Sequence, residues 1–192
     1  MMERKEALKK LEEARKRGEV DEDILSILEI LNSSSHFYTA SSCSGRIVIM
    51  QLPEIGDKKN AVFLGKWHHE VGMEDILNSI SNYSEGYLFM LVQSSIIHIV
   101  ADSLQSAREI MRIALESGFK YTSIKVIKNN GILVEILSAE NLHIPLGERG
   151  ELKIGYGEIE FFTKMANLML RRIKQKLKIF EEKIKSSPLF SS

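Results

Sequence analysis

Eight consecutive residues gather the reactive side chains of this sequence most densely: Thr39-Ala40-Ser41-Ser42-Cys43-Ser44-Gly45-Arg46. The hydroxyls and the thiol offer hydrogen bonds and nucleophiles. Gly45 lets the backbone approach a ligand closely or take positive φ, and Arg46 supplies a planar fork matched to carboxylate or phosphate. Because the run feeds into the apolar segment Ile47-Val48-Ile49-Met50, it reads as a loop that presents polar groups and then enters a sheet. An ordinary turn before a strand has the same composition, so spacing alone does not decide between them.

Three other places carry chemistry. Trp67-His68-His69-Glu70 closes a strand-like segment, where successive side chains point to opposite faces, so only one of the two histidines can face a given site. His68 is read as a candidate proton acceptor and Trp67 as a stacking surface, with a core role as the alternative for Trp67. Glu70 alone does not complete a ligand set, so no metal is expected. His98 lies inside the apolar run Ile96-Ile97-His98-Ile99-Val100, and the readings of a satisfied interior histidine and of a functional one stand level. Cys43 lacks a base fixed beside it by sequence, and burial as an inert thiol is the expectation. Arg171, Arg172, Lys174, Lys176 and Lys178 crowd one stretch without an acid among them. By default they form a solvated helix face, and beside the serine-rich run they would form a track for RNA phosphates.

The elements that position these residues follow from periodicity. Met2–Arg17, stopped by Gly18, and a short segment capped by Asp21 with Ile24, Leu28 and Leu31 on one face read as helices. Strands are expected at Ile47–Leu52, Ala61–His68, Tyr87–Val92, Ile96–Ala101, Ser123–Lys128 and Ile132–Leu137, and helices at Met73–Ser81 and Leu104–Ser117. Asn129-Asn130-Gly131 is a hairpin signal. The order β-β-α-β-β-α-β-β contains no glycine fingerprint after a strand, which excludes a Rossmann site. The expected architecture is α+β, a largely antiparallel or mixed sheet with helices on one face, each half reading as a ββα unit in the manner of an internal duplication. Residues 158–185 read as one long helix, about 40 Å at 1.5 Å per residue. Its stripe of Phe162, Met165, Ala166, Met169, Ile173, Leu177, Phe180 and Ile184 suits a partner helix, so a homodimer through it is an expectation. Residues 186–192 read as a flexible tail.

A chain of 192 residues fits one domain, here 1–192 with N-terminal helices over 1–32. With 26 Lys and Arg against 26 Asp and Glu, any affinity for nucleic acid must come from a local patch. One cysteine permits no internal disulfide, the first residues lack the apolar core of a signal peptide, and no run approaches a membrane span. A cytoplasmic protein without membrane contact is expected.

The string Ser41-Ser42-Cys43-Ser44-Gly45-Arg46-Ile47, followed in order by Lys66-Trp67-His68-His69-Glu70, Ile96-Ile97-His98-Ile99 and Ala107 through Gly118-Phe119-Lys120, resembles the tRNA wybutosine-synthesizing protein 3 family in an archaeal-type single-domain form. The likeness extends from about Leu31 to about Arg172. At Gln93-Ser94 the chain departs from the acidic-proline pair of the family pattern, so no carboxylate role is carried over there. The resemblance implies a methyltransferase that uses S-adenosylmethionine to modify the N(4) ring nitrogen of a demethylwyosine-type base beside the anticodon of phenylalanine tRNA. It implies His68 as proton acceptor with His98 as runner-up. Ser41, Ser42, Cys43, Ser44, Gly45, Arg46 and Trp67 would then hold substrate or cofactor, and Arg171, Arg172, Lys174 and Lys178 would meet the anticodon loop of the tRNA. The alternatives are a non-catalytic tRNA- or ligand-binding module and a helix-mediated assembly module.

Overall fold

A computed structural model describes residues 3–190. In chain order the elements are helices α1 (Arg4–Lys16) and α2 (Glu22–Ser33), strands β1 (Phe37–Cys43), β2 (Arg46–Leu52) and β3 (Val62–Trp67), helix α3 (Met73–Ile80), strands β4 (Tyr87–Gln93) and β5 (Ile96–Ala101), helix α4 (Leu104–Glu116), strands β6 (Ser123–Lys128), β7 (Gly131–Leu137), β8 (Leu142–Glu148) and β9 (Glu151–Leu152), and helix α5 (Tyr156–Lys185). A 3-10 turn, Pro188–Phe190, follows. The α+β class and the antiparallel pairing agree with expectation, but the strands form two sheets, ordered β1-β5-β7-β6 and β3-β2-β4-β8-β9. The backbone divides into two compact units, one of Met1–Ser44, Ser95–Ala139 and Ile173–Ser192 and the other of Gly45–Ser94 and Glu140–Arg172.

In the first unit, one face of the four-stranded sheet carries Phe37, Ile97, Ile99, Val134 and Ile136. These pack in a single core with Ile24, Ile27, Leu28 and Leu31 of α2, Ala107, Ile110 and Ile113 of α4, and Leu177, Phe180 and Ile184 of α5. Burying an aliphatic side chain of this kind contributes about 1.5–3 kcal/mol, so this interlocked face is the main source of the unit's stability. On the opposite face Ala7 of α1 packs with Tyr38, Val100 and Leu133. Arg4 tethers α1 by donating to the carbonyls of Asn32 at 2.8 Å and Phe37 at 2.7 Å; the first of these lies in the last turn of α2, where carbonyls have no intrahelical partner.

The second unit buries Ile47, Ile49, Leu88, Met90 and Val92 of its sheet, Ile76 and Ile80 of α3, and Ile159, Ala166 and Leu170 of α5. Strand β8, absent from the expected elements, contains Pro145 and Gly147. It tolerates Pro145 because the ladder to β4 shifts between Leu88 and Phe89, and because β9 pairs only with Gly147 and Glu148. The side of β8 at Pro145 therefore demands no N–H donor.

Four further expectations meet the structure differently. Thr39–Arg46 is not a loop: Thr39 through Cys43 belong to β1, antiparallel to β5, and only Ser44 and Gly45 intervene before β2. Gly45 takes φ +89° there, a value a β-carbon disfavours. Asp21 stands at the N-cap of α2 without capping it, its carboxylate accepting instead from the Ser44 backbone N–H at 2.7 Å. The segment expected to be a flexible tail packs as far as Phe190: Phe190 stacks on Phe37 at 5.3 Å between ring centroids, and the Ser34 hydroxyl donates to the Leu189 carbonyl. Ser191 and Ser192 of that expectation, and Met2 of the first helix, lie outside the described residues. Five residues of the stripe expected to seat a second copy on α5, Ala166, Ile173, Leu177, Phe180 and Ile184, are buried within this chain.

Candidate functional site

Four side chains of the first unit form a continuous row across its sheet. Ser41 on β1 stands opposite His98 on β5, and His98 stands opposite Glu135 on β7. The Ser41 hydroxyl lies 2.7 Å from Nδ1 of His98, and Nε2 of His98 lies 3.0 Å from Oε2 of Glu135. The other carboxylate oxygen of Glu135 meets Nζ of Lys125 at 2.7 Å. Two irregularities in the ladders build the row. The β1 register shifts between Thr39 and Ser41, and the β6 register shifts between Ile124 and Val126. Each inserts one residue, Ala40 and Lys125, and re-aims the side chains beside it. Without the first shift, strict alternation from Thr39 would give Ser41 the face that Thr39 has, which is the face turned to the core.

The row is wet at its two ends, Ser41 and Lys125, and drier between them. Ser41 is exposed, whereas the side chains of His98 and Glu135 are 26% and 13% accessible. Burial pushes the Glu135 carboxyl up, but hydrogen bonds from Lys125 and His98 outweigh it and hold the group below its ordinary value. Glu135 is therefore a carboxylate at neutral pH. A serine hydroxyl, an imidazole and an anchored carboxylate in contact can accept, pass on and stabilise a proton. Of the residues expected to act, Ser41 and His98 are brought together here. Glu135 and Lys125 were not anticipated, although a lone acid within the apolar run Ile132–Leu137 matches the signal that drew notice to His98.

The remaining serine-rich residues do different work. Ser42 and Cys43 are half-buried at the end of β1, opposite Ile97 and Ile96. Ser44 is fully buried, its hydroxyl accepting from Nζ of Lys174 at 2.7 Å, while Lys174 also pairs with Asp23 at 2.6 Å. Both Ser44 and Lys174 are thus spent on fastening the turn to α2 and α5, not held out to a ligand. Lys178 is exposed on α5.

In the second unit Arg46 opens β2 directly across from Gln93 and donates from Nε to its side-chain oxygen at 2.5 Å. The guanidinium lies over the ring of Phe63, 5.7 Å from its centroid, and Phe63 is 51% exposed. Gln93 is a neutral partner for this arginine. Trp67 packs against its own strand: a β-carbon built on Gly65 would sit 2.1 Å from Trp67 Cη2 and 2.5 Å from the Ser79 hydroxyl. His68 follows β3 and is half-buried, whereas His69 is exposed. Arg171 and Arg172 reach Glu70 at 3.3 Å and Glu140 at 3.0 Å, and both arginines remain largely open to solvent. Among the described residues no helix is long and apolar enough to cross a membrane.

Comparison with known proteins agrees with the blocks noted in the sequence. The chain is 44% identical over 183 residues, 95% of its length and 93% of the relative's, to the tRNA(Phe) 7-((3-amino-3-carboxypropyl)-4-demethylwyosine(37)-N(4))-methyltransferase of Thermococcus sibiricus. It is 36% identical to the protein of the same name in Methanocaldococcus jannaschii, covering 90% of each chain. The solved structure of the PH1069 protein from Pyrococcus horikoshii superposes with a TM-score of 0.91 at 45% identity, covering 94% of this chain and 93% of that one. A hypothetical protein from Aeropyrum pernix, 21% identical with a TM-score of 0.75 over 86% of this chain and 97% of that one, shares the fold. The profile described as Methyltransferase TYW3 matches residues 2–186, and the chain belongs to that family.

Proposed function

We propose that this protein transfers a methyl group from S-adenosylmethionine to the N(4) ring nitrogen of a 7-(3-amino-3-carboxypropyl)-4-demethylwyosine-type base in tRNA(Phe). The observation that carries the reading is the 44% identity, over 95% of the chain, to a relative that bears that activity as its name. As the ring nitrogen gains a methyl group it gives up a proton, so the protein has to hold the base, orient it and accept that proton.

His98 is the proton acceptor in this reading. It is the expected histidine with a carboxylate, Glu135, 3.0 Å from its ring to stabilise the imidazolium that forms. His68 is the alternative acceptor. S-adenosylmethionine, when bound, supplies an electrophilic methyl on a sulfonium. Its amino-carboxyl end calls for a charged fork, and Arg46 fits that requirement: Gln93 engages Nε, Phe63 underlies the guanidinium plane, and the two terminal nitrogens make no hydrogen bond among the described residues. The amino-carboxyl side chain of the base presents the same chemistry. Ser42 is a hydroxyl candidate for holding substrate or cofactor in its own right. Arg171, Arg172 and Lys178, all solvent-facing, meet phosphates of the anticodon loop without reading sequence. A cytoplasmic location goes with a tRNA substrate. The reading needs no dimer, since the α5 stripe from Ile173 to Ile184 is used inside the chain.

The test is single-turnover methyl transfer to undermethylated tRNA by the natural chain, His98→Ala and His68→Ala. General-base removal costs about 10²–10⁴-fold, and that loss is expected for His98→Ala. A full rate for His98→Ala with the loss confined to His68→Ala would give the acceptor role to His68. No transfer by any variant, with tRNA still retained, would favour the binding module.

A further inference from the structure

Both ring nitrogens of His98 are already occupied within the protein, Nδ1 by the Ser41 hydroxyl at 2.7 Å and Nε2 by Glu135 at 3.0 Å. A carboxylate can only accept, so Nε2 carries the ring hydrogen and Nδ1 carries the lone pair that receives the Ser41 O–H. Lys125 occupies the second oxygen of Glu135 at 2.7 Å, which fixes the carboxylate in the orientation that this tautomer needs. Neither ring nitrogen of His98 offers a free lone pair to a proton from outside in this arrangement. Of the two groups on the ring that proton meets Ser41 first, because Ser41 is exposed on the edge strand of its sheet, whereas Glu135 is 13% accessible and its other oxygen is taken by Lys125.

From this geometry we infer that Ser41 is a catalytic residue that relays the substrate's proton, with Glu135 and Lys125 as positioning residues that set the tautomer of His98. The inference rests on the methyl-transfer reading above. The step balances without a co-reactant. The N–H bond of the base breaks and its proton forms a new O–H bond at Ser41, while the original Ser41 proton passes to Nδ1. The hydroxyl is thereby regenerated, and the imidazolium is left between Ser41 and the Glu135 carboxylate. The proton then returns to solvent by the reverse exchange at the exposed hydroxyl. The β1 irregularity at Ala40 acquires a function on this account, since it turns Ser41 onto the face of His98.

Two measurements separate the relay from the reading it rests on. Long-range nitrogen–proton NMR of the histidine rings in the whole protein, at a pH where His98 is neutral, reports its tautomer without any turnover. The Nε2–H form is expected, with Glu135→Gln weakening the preference. An Nδ1–H form in the natural chain overturns the assignment whether or not the protein methylates tRNA. Single-turnover transfer at saturating tRNA and donor then tests Ser41. Ser41→Ala should slow the chemical step at least tenfold with unchanged tRNA affinity, and Ser41→Thr, which restores a hydroxyl, should recover most of the rate. A natural chain that methylates tRNA while Ser41→Ala keeps its full rate overturns the relay and leaves the function standing. Loss of tRNA affinity with an unchanged rate at saturation overturns it also, and makes Ser41 a binding contact.

Discussion

Replacing Gly65 by alanine tests the packing that fixes Trp67. Gly65 lies in β3 two residues before Trp67, so their side-chain directions share a face of the sheet. An added β-carbon there would lie 2.1 Å from Cη2 and 2.8 Å from Cζ2 of the tryptophan ring, and 2.5 Å from the Ser79 hydroxyl on α3. These separations are well inside contact distance, so the ring or the helix has to move. Overpacking of this kind costs about 1–3 kcal/mol. The smaller unfolded-state entropy of alanine offsets roughly 0.4–1 kcal/mol of that. The net loss is about 1–2 kcal/mol. At a urea slope of about 2 kcal/mol per molar, the unfolding midpoint falls by roughly 0.5–1 M. Trp67 is the one tryptophan of the chain, so its emission reports both the unfolding and the ring's displacement. Ser79→Ala in the same background should recover part of the loss by removing one of the obstructing atoms. An unchanged midpoint and an unchanged emission spectrum for Gly65→Ala would refute the packing, and with it the reading of Trp67 as a residue seated on its own sheet.

Four further outcomes follow from named contacts. Arg46→Lys loses the Nε bond to Gln93 and the guanidinium's place over Phe63, so affinity for S-adenosylmethionine by calorimetry should fall about tenfold, the size of one lost charged hydrogen bond; unchanged affinity removes Arg46 from that role. Glu135 has a folded-state value below its ordinary 4.5. Its contribution is therefore present above about 4.5 and lost as pH falls through the lower folded value, so Glu135→Gln should flatten the acid limb of stability in urea titrations, and an identical limb would contradict the ion pairing. Phe180→Ala empties a fully buried site that packs edge-on against Phe119 at 5.7 Å, and should cost about 3–5 kcal/mol by denaturant unfolding. A chain ended after Ala166 loses Leu177, Phe180 and Ile184 from the first unit's core and should lose native circular dichroism, whereas a folded, monomeric product in sedimentation would restore α5 as an assembly helix.

Local pattern reached far into this fold. The apolar periodicity of α2 and α4, the hairpin at Asn129-Asn130 and the strands β2, β4, β5 and β7 all depend on short-range spacing, and each was legible within a residue or two of its observed ends. Strand β1 was not, because serine, alanine and cysteine have weak strand signals, and it is the ladder to β5 that makes Thr39–Cys43 extended. The division into two sheets was equally invisible. Tyr87–Val92 and Ile96–Ala101 read as two strands of one sheet, yet only pairing across long sequence separations assigns the first to β2 and β8 and the second to β1 and β7.

The site shows the same boundary between local and distant information. Ser41 and His98 were recognisable as residue types, but their contact depends on an inserted residue in β1 that no spacing rule announces. Ser44 and Lys174 drew notice as a ligand contact and an RNA contact because their sequence neighbourhoods are polar and basic. Their partners lie on other elements, and what looked available is committed to holding the turn. Arg46 is the converse case. Its side chain keeps the character the sequence suggests, and its cross-strand partner is Gln93.

The central claim is methyl transfer to the base next to the anticodon, and its most direct test uses tRNA(Phe) from cells that lack this protein. The purified chain is incubated with that tRNA and isotopically labelled S-adenosylmethionine, and the modified nucleoside is identified by mass spectrometry. The account predicts one added labelled methyl group on the demethylwyosine-type base, at N(4), and none elsewhere in the tRNA. Retention of the tRNA without any gain of mass at that base would contradict it.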